Sequence, residues 1–498
     1  MSKATRVSPS ARWAWWLVAV VLVASRLLIY FCAPEPENVF PYDFWFQEFQ
    51  AATRHGLDLY AYHEQRARQE LDELRRRGDT DPHGGSGTLE YPPLALAVVL
   101  LPGIVVDHLP EDGSLPADLQ WRYAMAFRFE MLLFDLLAFT VVAITARRLF
   151  PTETPAQRAE RLIVYLLATA ALAPLLYNRI DMAMSALVVL SLGLLVGGAT
   201  TFWPMLVLAL AINYKVVPLV LAPWWALGTC PANWPQRPVT PARFLLPPLA
   251  RLLLLAALVV GVFLPFALLY GERTLRFFAF HKDRGLEIES TYCTLLLALR
   301  PLGYPVRVIE RYGGFDLSSP LSPWGARLAG VILAVLLAVA GGSLLVRLLR
   351  RPHQDAPAAA SGRTLAQAYP HLFVAHTLLV LLVVVAANKV FSPQYMIWLP
   401  PLVVLASFER RPRLFLFGSL IALCLLTNLI FPVLFWKDVV GLQGPVTNPP
   451  HYEGPTLRGF VAMAARNLLL IVVTVWVAKR VISKRGDEMM RPLPFRET

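Results

Sequence analysis

The sequence predicts an all-α polytopic membrane protein, a bundle of about 12 transmembrane helices (about 11–13). Three observations predict it. Of 498 residues, 56% are hydrophobic and only 16% charged, with a mean hydropathy of +0.52, whereas an average soluble domain carries about a quarter charged residues. Apolar stretches recur along the whole chain. The Lys and Arg residues between them fall in alternate connections, as the positive-inside rule requires. Disorder, collagen-like repeats and a secreted disulfide scaffold are excluded. The cysteines at 32, 230, 293 and 424 have neither metal-site nor framework spacing. Cys32 and Cys293 could meet on one side of the membrane, but unpaired core thiols suit the burial tendency of cysteine better. A net charge of +12 would suggest nucleic acid in a soluble protein; here Arg gathers at membrane edges, and no nucleic-acid partner is expected.

The first apolar stretch, Trp13–Cys32, has the length of a bilayer helix and lacks an Ala-x-Ala cleavage site, so it reads as a retained span. The others are Trp121–Ala146, Leu162–Tyr177, Asp181–Val196, Thr201–Ile212, Val216–Leu227, Pro248–Tyr270, Trp324–Val346, Pro370–Ala387, Tyr395–Phe408, Leu414–Phe435 and Gly459–Val481. The stretches across 181–227 are short, which calls for tilting, a break at Pro218, or packing in protein rather than lipid. With Lys3, Arg6 and Arg12 inside, the inside connections carry Arg147/Arg148/Arg158/Arg161, Arg237/Arg243, Arg350/Arg351/Arg363, Arg410/Arg411/Arg413 and Lys479/Arg480/Lys484/Arg485. Both termini are therefore expected in the cytoplasm, 482–498 forming a tail. Tyr91–Val106 is apolar but Pro-rich, and counting it as a span would put Arg147 and Arg148 outside; it is expected to be re-entrant or interfacial. The chain 1–498 thus reads as one membrane domain with two large outer loops, 33–120 (with interfacial helices) and 271–323.

Chemistry is expected outside, because the inside connections, such as RRPHQDAPAAASGR, carry no motif beyond positive flanks. No P-loop, Rossmann glycine pattern, HExxH or GxSxG occurs, which argues against an ATP-driven pump, a zinc protease or a serine hydrolase. Pro41-Tyr42-Asp43-Phe44-Trp45 places a carboxylate among four aromatics just beyond the first span. Asp43 suits a general base taking a proton from an attacking hydroxyl; it would equally suit a surface position beside an interfacial aromatic belt. Tyr62–Arg77 reads as a solvent-facing or interfacial helix and 78–88 as a linker. Glu90 and Tyr91 stand at a rigid Pro92-Pro93 turn.

Arg128, Glu130 and Asp135 lie inside an apolar stretch, each costing roughly 2.5–3.5 kcal/mol on insertion scales, so structural pairing is expected of them. Arg179 and Asp181 should meet Lys215 at neighbouring outer helix ends. His281, Lys282, Arg284, Glu287 and Glu289 form the densest outer polar cluster, either a solvated loop or cations for a phosphate. Lys389, Gln394 and Tyr395 add another cation and two polar groups on that side. Several cations at separate outer helix ends suit an anionic lipid head group.

In combination these segments resemble a known group. Asp43 after the first span, Gly56 to Tyr60, Glu90-Tyr91-Pro92-Pro93, Arg179-Ile180-Asp181, Lys215-Val216-Val217-Pro218, His281 with Arg284-Gly285 and Ile288-Glu289-Ser290, and Lys389 to Tyr395 resemble, in order, the GT-C membrane glycosyltransferases, particularly family 87 and its DUF2029 relatives. The resemblance spans about residues 13–480; the charged insert at 62–88 and the local YDFW context depart from the pattern. It implies a GT-C-like bundle, a sugar donor on polyprenyl phosphate, mannose favoured, and a glycolipid or polysaccharide acceptor of the envelope. It also implies transfer with inversion, and neither metal nor cofactor. On that basis Asp43 is expected to be catalytic. His281, Arg284, Lys215, Lys389 and Arg179 would bind the donor phosphate, and Glu90, Tyr91, Asp181, Glu289, Gln394 and Tyr395 the substrate. The expected location is a bacterial inner membrane with the site extracytoplasmic; Arg over Lys and abundant Ala fit a GC-rich bacterial genome. A secondary transporter or lipid-linked sugar flippase is the alternative, and an assembly subunit without chemistry a third reading.

Overall fold

The computed structural model describes residues 9–32, 42–76, 89–106, 116–234, 240–311, 313–350, 362–442 and 452–483. Among the described residues, seven helices are long and apolar enough to cross a membrane. They are α1 (Pro9–Cys32), α5 (Ala117–Leu149), α11 (Pro241–Tyr270), α14 (Ser322–Arg350), α16 (Pro370–Ala387), α18 (Arg410–Asn428) with its continuation Leu429–Val440, and α19 (Leu457–Ile482). Between α5 and α11 run α6 (Pro155–Ala170), α7 (Ala173–Leu176), α8 (Asp181–Gly197), α9 (Phe202–Tyr214) and α10 (Ala222–Gly228), the last continuing a 3-10 turn at Val217–Leu221. After α15 (Leu365–Ala368) and α16, a 3-10 turn at Pro393–Trp398 runs into α17 (Pro400–Leu405). The protein is an all-α polytopic membrane protein.

Local chemistry sets the boundaries. A capping box of Thr154 and Gln157 opens α6, and Gly198, at φ +100°, closes α8 in a left-handed conformation that side-chain-bearing residues avoid. Pro432, which lacks an N–H, coincides with the kink at Phe431 beyond α18. Packing sorts the spans by depth: 89% of the apolar window of α16 is buried, against 6% for α11. Helix α11 presents Leu253, Val260, Leu268 and Leu269 outward, and α14 presents Val331, Val335 and Val339. Such faces are stable against lipid and not against water.

Contacts between helix ends fall into two groups. At the Arg-rich end, Arg148 donates to the Gly197 carbonyl (3.1 Å), Gln367 to Ala199 (3.2 Å), and Arg413 and Arg161 both hold Glu153 (2.7 Å each). At the opposite end, Lys215 meets Asp181 and Lys389 reaches the carbonyl of Arg284. Beside the seven long helices, the described residues form the shorter helical units α6–α7, α8, α9, 217–228 and 393–405, which link the long ones in sequence.

The end opposite the arginines carries α2 (Tyr42–Arg54), α3 (Leu59–Arg76), α4 (Pro93–Leu100), α12 (Phe277–Asp283), α13 (Thr291–Leu297) and an antiparallel hairpin, β1 (Arg307–Arg311) with β2 (Gly314–Ser318). The hairpin is a local addition to the helical fold. Helix α3 is docked as well as charged: Glu48 of α2 holds His63 (2.9 Å) and Arg66 (3.0 Å), Asp58 holds Arg273 (3.0 Å), and Glu64 pairs with Arg276. The Pro-rich piece after Tyr91 forms α4 and a 3-10 turn at Leu101–Val105, packed on α2, α5 and α9.

Of the charges inside α5, Arg128 and Asp135 are paired, though not with each other, since seven residues of helix separate them by about 10 Å, whereas the expected pairing of Glu130 is not met: its Oε2 is buried with no hydrogen-bond partner among the described residues. Asp135 receives Arg26 of α1 through two bonds (2.8 and 3.1 Å) and the hydroxyls of Tyr165 and Tyr177 (2.7 Å each). Arg128 donates to Asn178 (2.8 Å) and to the Tyr30 carbonyl (3.3 Å). Cys32 is exposed and Cys293 buried, and neither forms a disulfide.

Candidate active site

Five stretches distant in sequence converge at the end opposite the arginines. Asp181 is the first residue of α8, where a negative charge suits the helix dipole, and Lys215 follows the last residue of α9, where a positive charge does. Their side chains meet at 2.7 Å, and the Trp398 indole donates to the same carboxylate oxygen at 2.8 Å. Lys215 also lies over the rings of Tyr395 (5.2 Å) and Trp398 (5.4 Å), which stack at 4.3 Å. Asp181 is fully buried and Lys215 only 8% exposed.

Beside this pair the segment 284–290 is clamped from both sides. The Glu287 N–H donates to the Lys389 carbonyl (3.1 Å), and on the other side Ile288 bonds Phe315 (2.8 Å) and Leu317 bonds Leu286 (2.8 Å), as in an extra strand on β2. Below it, Arg466 of α19, wholly buried in an apolar helix, holds the Glu289 carboxylate (2.5 Å) and main-chain carbonyl (2.8 Å) and lies 3.9 Å from the centre of the Phe391 ring. Asn467 bonds the same carbonyl (3.0 Å). The clamp aims Arg284, 8% exposed, at Glu287 (3.5 Å), with Glu90 and Asp316 also within electrostatic range. Gly314 leaves room for it: a β-carbon there would lie 2.4 Å from the Arg284 guanidinium, which would have to move aside.

The arrangement is electrostatically unsettled. Burial raises the carboxyl of Glu90 above its ordinary range, opposed by Arg284, Lys215 and Arg179. Burial pushes Glu287 up to about 8 against the pull of Arg284, and it raises Asp316. Arg179 Nε, Asp181 Oδ2, Arg284 Nε, Glu287 Oε2 and Asp316 Oδ1 are buried with no hydrogen-bond partner among the described residues. Buried polar atoms are nearly always satisfied, so five orphans in one neighbourhood mark a place built for a ligand. Among the described residues no group of three or more His, Cys, Asp or Glu could hold a metal ion.

Most of the sequence-predicted residues meet here, though not all are available. Arg284, Arg179, Glu90, Asp181 and Lys215 share the cluster. His281 is exposed at the rim beside the Glu90 main chain, and Tyr91 is buried next to it. Lys389 is engaged by the carbonyls of Lys282 (3.1 Å) and Arg284 (2.5 Å), which makes it a brace for the loop. Glu289 is committed to Arg466, a correction to its expected place on the substrate, because a buried guanidinium must be neutralised. Gln394 accepts from Ser392 (2.5 Å), and Tyr395 is stacked on Trp398. Asp43 is the second residue of α2; its side chain lies outside the described residues. Sequence reasoning missed Arg466 and Arg26, although the cost of a cation in an apolar stretch was a usable signal for both. Trp398 and Asp316 carried no such signal.

No family model and no curated protein matches the chain. Among solved structures, the crystal structure of ArnT from Cupriavidus metallidurans in the apo state aligns with 95% of this chain and 78% of that one, at 15% identity and a TM-score of 0.34. A likeness that distant carries no argument about the chemistry of this chain.

Proposed function

We propose that the protein is an integral membrane glycosyltransferase that moves a sugar, mannose by the resemblance of its motifs, from a polyprenyl-phosphate donor to a glycolipid or polysaccharide acceptor. By the positive-inside rule the Arg-rich end is cytoplasmic and the site faces outward in a bacterial inner membrane. The observation that carries the reading is a set of cations at one end of the bundle, buried Arg284 and Lys215 with half-buried Arg179, in which the Nε atoms of Arg284 and Arg179 are buried without a hydrogen-bond partner among the described residues, beside carboxylates. A lipid phosphate entering from the bilayer would satisfy them, and guanidinium matches phosphate geometry.

In this reading the acceptor hydroxyl oxygen bonds to the anomeric carbon as the bond from that carbon to the phosphate oxygen breaks. The hydroxyl proton passes to Asp43, and polyprenyl phosphate leaves with the charge. Arg284 and Arg179 stabilise that charge as it grows, the type of electrostatic help that is usually the larger contribution; the base supplies about 10²–10⁴-fold. Asp43 is on α2, which packs against α4 just after Glu90.

The test is sugar release from polyprenyl-phosphate-mannose by the purified protein in detergent, with membrane lipid extract as acceptor. Wild type should turn over, with Asp43→Asn and Arg284→Ala folded and silent. A folded Asp43→Asn near wild-type rate removes Asp43 as base. Wild-type silence across several lipid-linked sugars overturns the enzyme reading in favour of transport.

A further inference from the structure

Outside the cationic cluster the deeply buried charges are largely satisfied by each other: Asp135 by Arg26, Tyr165 and Tyr177, and Glu153 by Arg161 and Arg413. One partly open cavity has no assigned role. It has a volume of about 130 Å³ and is lined by Arg179, Glu287 and Gln394 together with Phe315, Phe435 and Trp436.

We propose that this cavity is a subsite for an uncharged, hydroxylated six-membered ring, a pyranose held face-on by the aromatic wall and edge-on by Glu287 and Gln394. The size fits one ring, being close to the ~150 Å³ cavity that takes up benzene. The aromatic wall is laid out for a flat guest. Phe315 meets Phe435 (67°), Trp436 (89°) and Tyr452 (82°) edge-on, and Phe435 meets Trp436 at 85° and Phe431 at 71°. None of these pairs is face to face, so a ring can lie on an aromatic face without displacing a stacked neighbour. The polar part of the lining excludes a purely apolar guest. Glu287 Oε2 is buried without a partner among the described residues, and an apolar ligand would leave it unsatisfied at about 1–3 kcal/mol. Gln394, its amide oxygen already accepting from Ser392, offers its two N–H donors. Retention of Glu287 as a neutral acid, favoured by its burial, gives it an O–H to donate to a ring hydroxyl as well as an oxygen to accept.

The identity of the ring as a carbohydrate rests on the proposed glycosyl transfer; the cavity and its polar wall do not. The test is direct binding of methyl α-mannoside, methyl α-glucoside and, as the apolar control, cyclohexanol to the full-length protein in detergent, by saturation-transfer NMR. Wild type should bind the pyranosides saturably and not cyclohexanol. Trp436→Ala and Gln394→Leu should weaken binding at least tenfold, with Trp476→Ala, at the other end of the bundle, unchanged. Should Trp436→Ala misfold, Phe435→Leu and Gln394→Leu decide. Equal binding by wild type and the cavity variants, equal binding of cyclohexanol, or no binding overturns the subsite. In turnover, a raised KM for the lipid-linked donor alone would place the donor's sugar in the cavity, and a raised KM for acceptor alone the acceptor's. Pyranoside binding without turnover of any donor would leave the subsite standing and the transferase reading refuted; turnover without binding would do the reverse.

Discussion

Lys215 and Asp181, 34 positions apart, form a 2.7 Å ion pair buried where the ends of α8 and α9 meet, with the Trp398 indole on the same carboxylate oxygen and the other oxygen without a hydrogen-bond partner among the described residues. The pair ties α8 and α9 to the turn that begins at Pro393, and so fixes the floor of the cationic cluster.

Removing one partner leaves a buried charge exposed to Arg179 and Arg284. Asp181→Asn should therefore destabilise the protein by about 3–5 kcal/mol. The double variant Asp181→Leu/Lys215→Met should recover most of that loss in thermal unfolding while restoring no sugar transfer. Recovery of both would show that the pair is structural alone.

Glu287 links stability to pH. Its folded carboxyl titrates near 8 because it is buried, against an ordinary 4.5. Between those values the folded state holds a proton that the unfolded state has released. The contribution to stability is thus complete below about 4.5 and is lost as pH rises through 8, with a limiting slope of ~1.4 kcal/mol per unit. Glu287→Gln should remove this part of the slope when unfolding is followed from pH 5 to 9 in detergent. An unchanged slope would place the titration elsewhere.

Arg466 anchors the loop that carries Arg284 and Glu287. A lysine cannot reproduce two bonds to Glu289 together with the approach to Phe391. Arg466→Lys keeps the charge but loses the second bond to Glu289, and should cost about 1.5–3 kcal/mol. Hydrogen exchange should then rise first at the amides of Glu287 and Ile288; uniform exchange across the bundle would contradict a local anchor.

Gly314 makes room for a guanidinium. Gly314→Ala should displace Arg284 and weaken binding of a short-chain prenyl phosphate by about tenfold, equivalent to about 1.4 kcal/mol. Gly342→Ala is the matched control, since a β-carbon there meets nothing within 4 Å. Equal affinity in the two variants would argue against Arg284 as the phosphate ligand.

The spans and their ends were legible in the sequence, because the cost of a polar group in hydrocarbon is paid locally, residue by residue, and therefore shows as apolar runs between arginines. So was the set of side chains at the outer helix ends: Arg179, Asp181, Lys215, Arg284 and Glu90 all appear together. Their partners were not. Arg128 and Asp135 looked like one pair and belong to two, and Glu289 and Lys389 looked available and are bound to Arg466 and to main-chain carbonyls. Composition and hydropathy by themselves determined that the chain crosses a membrane repeatedly and gathers charge at the helix ends. Only the tertiary structure decided which charges are spent on one another, which remain free for a ligand, and that aromatic residues from β2 and the end of α18 close a cavity beside Glu287. The physical reason is range: hydropathy acts through the solvent on each residue alone, whereas a hydrogen bond or ion pair exists only where two groups, here up to 260 positions apart, are brought within 3 Å.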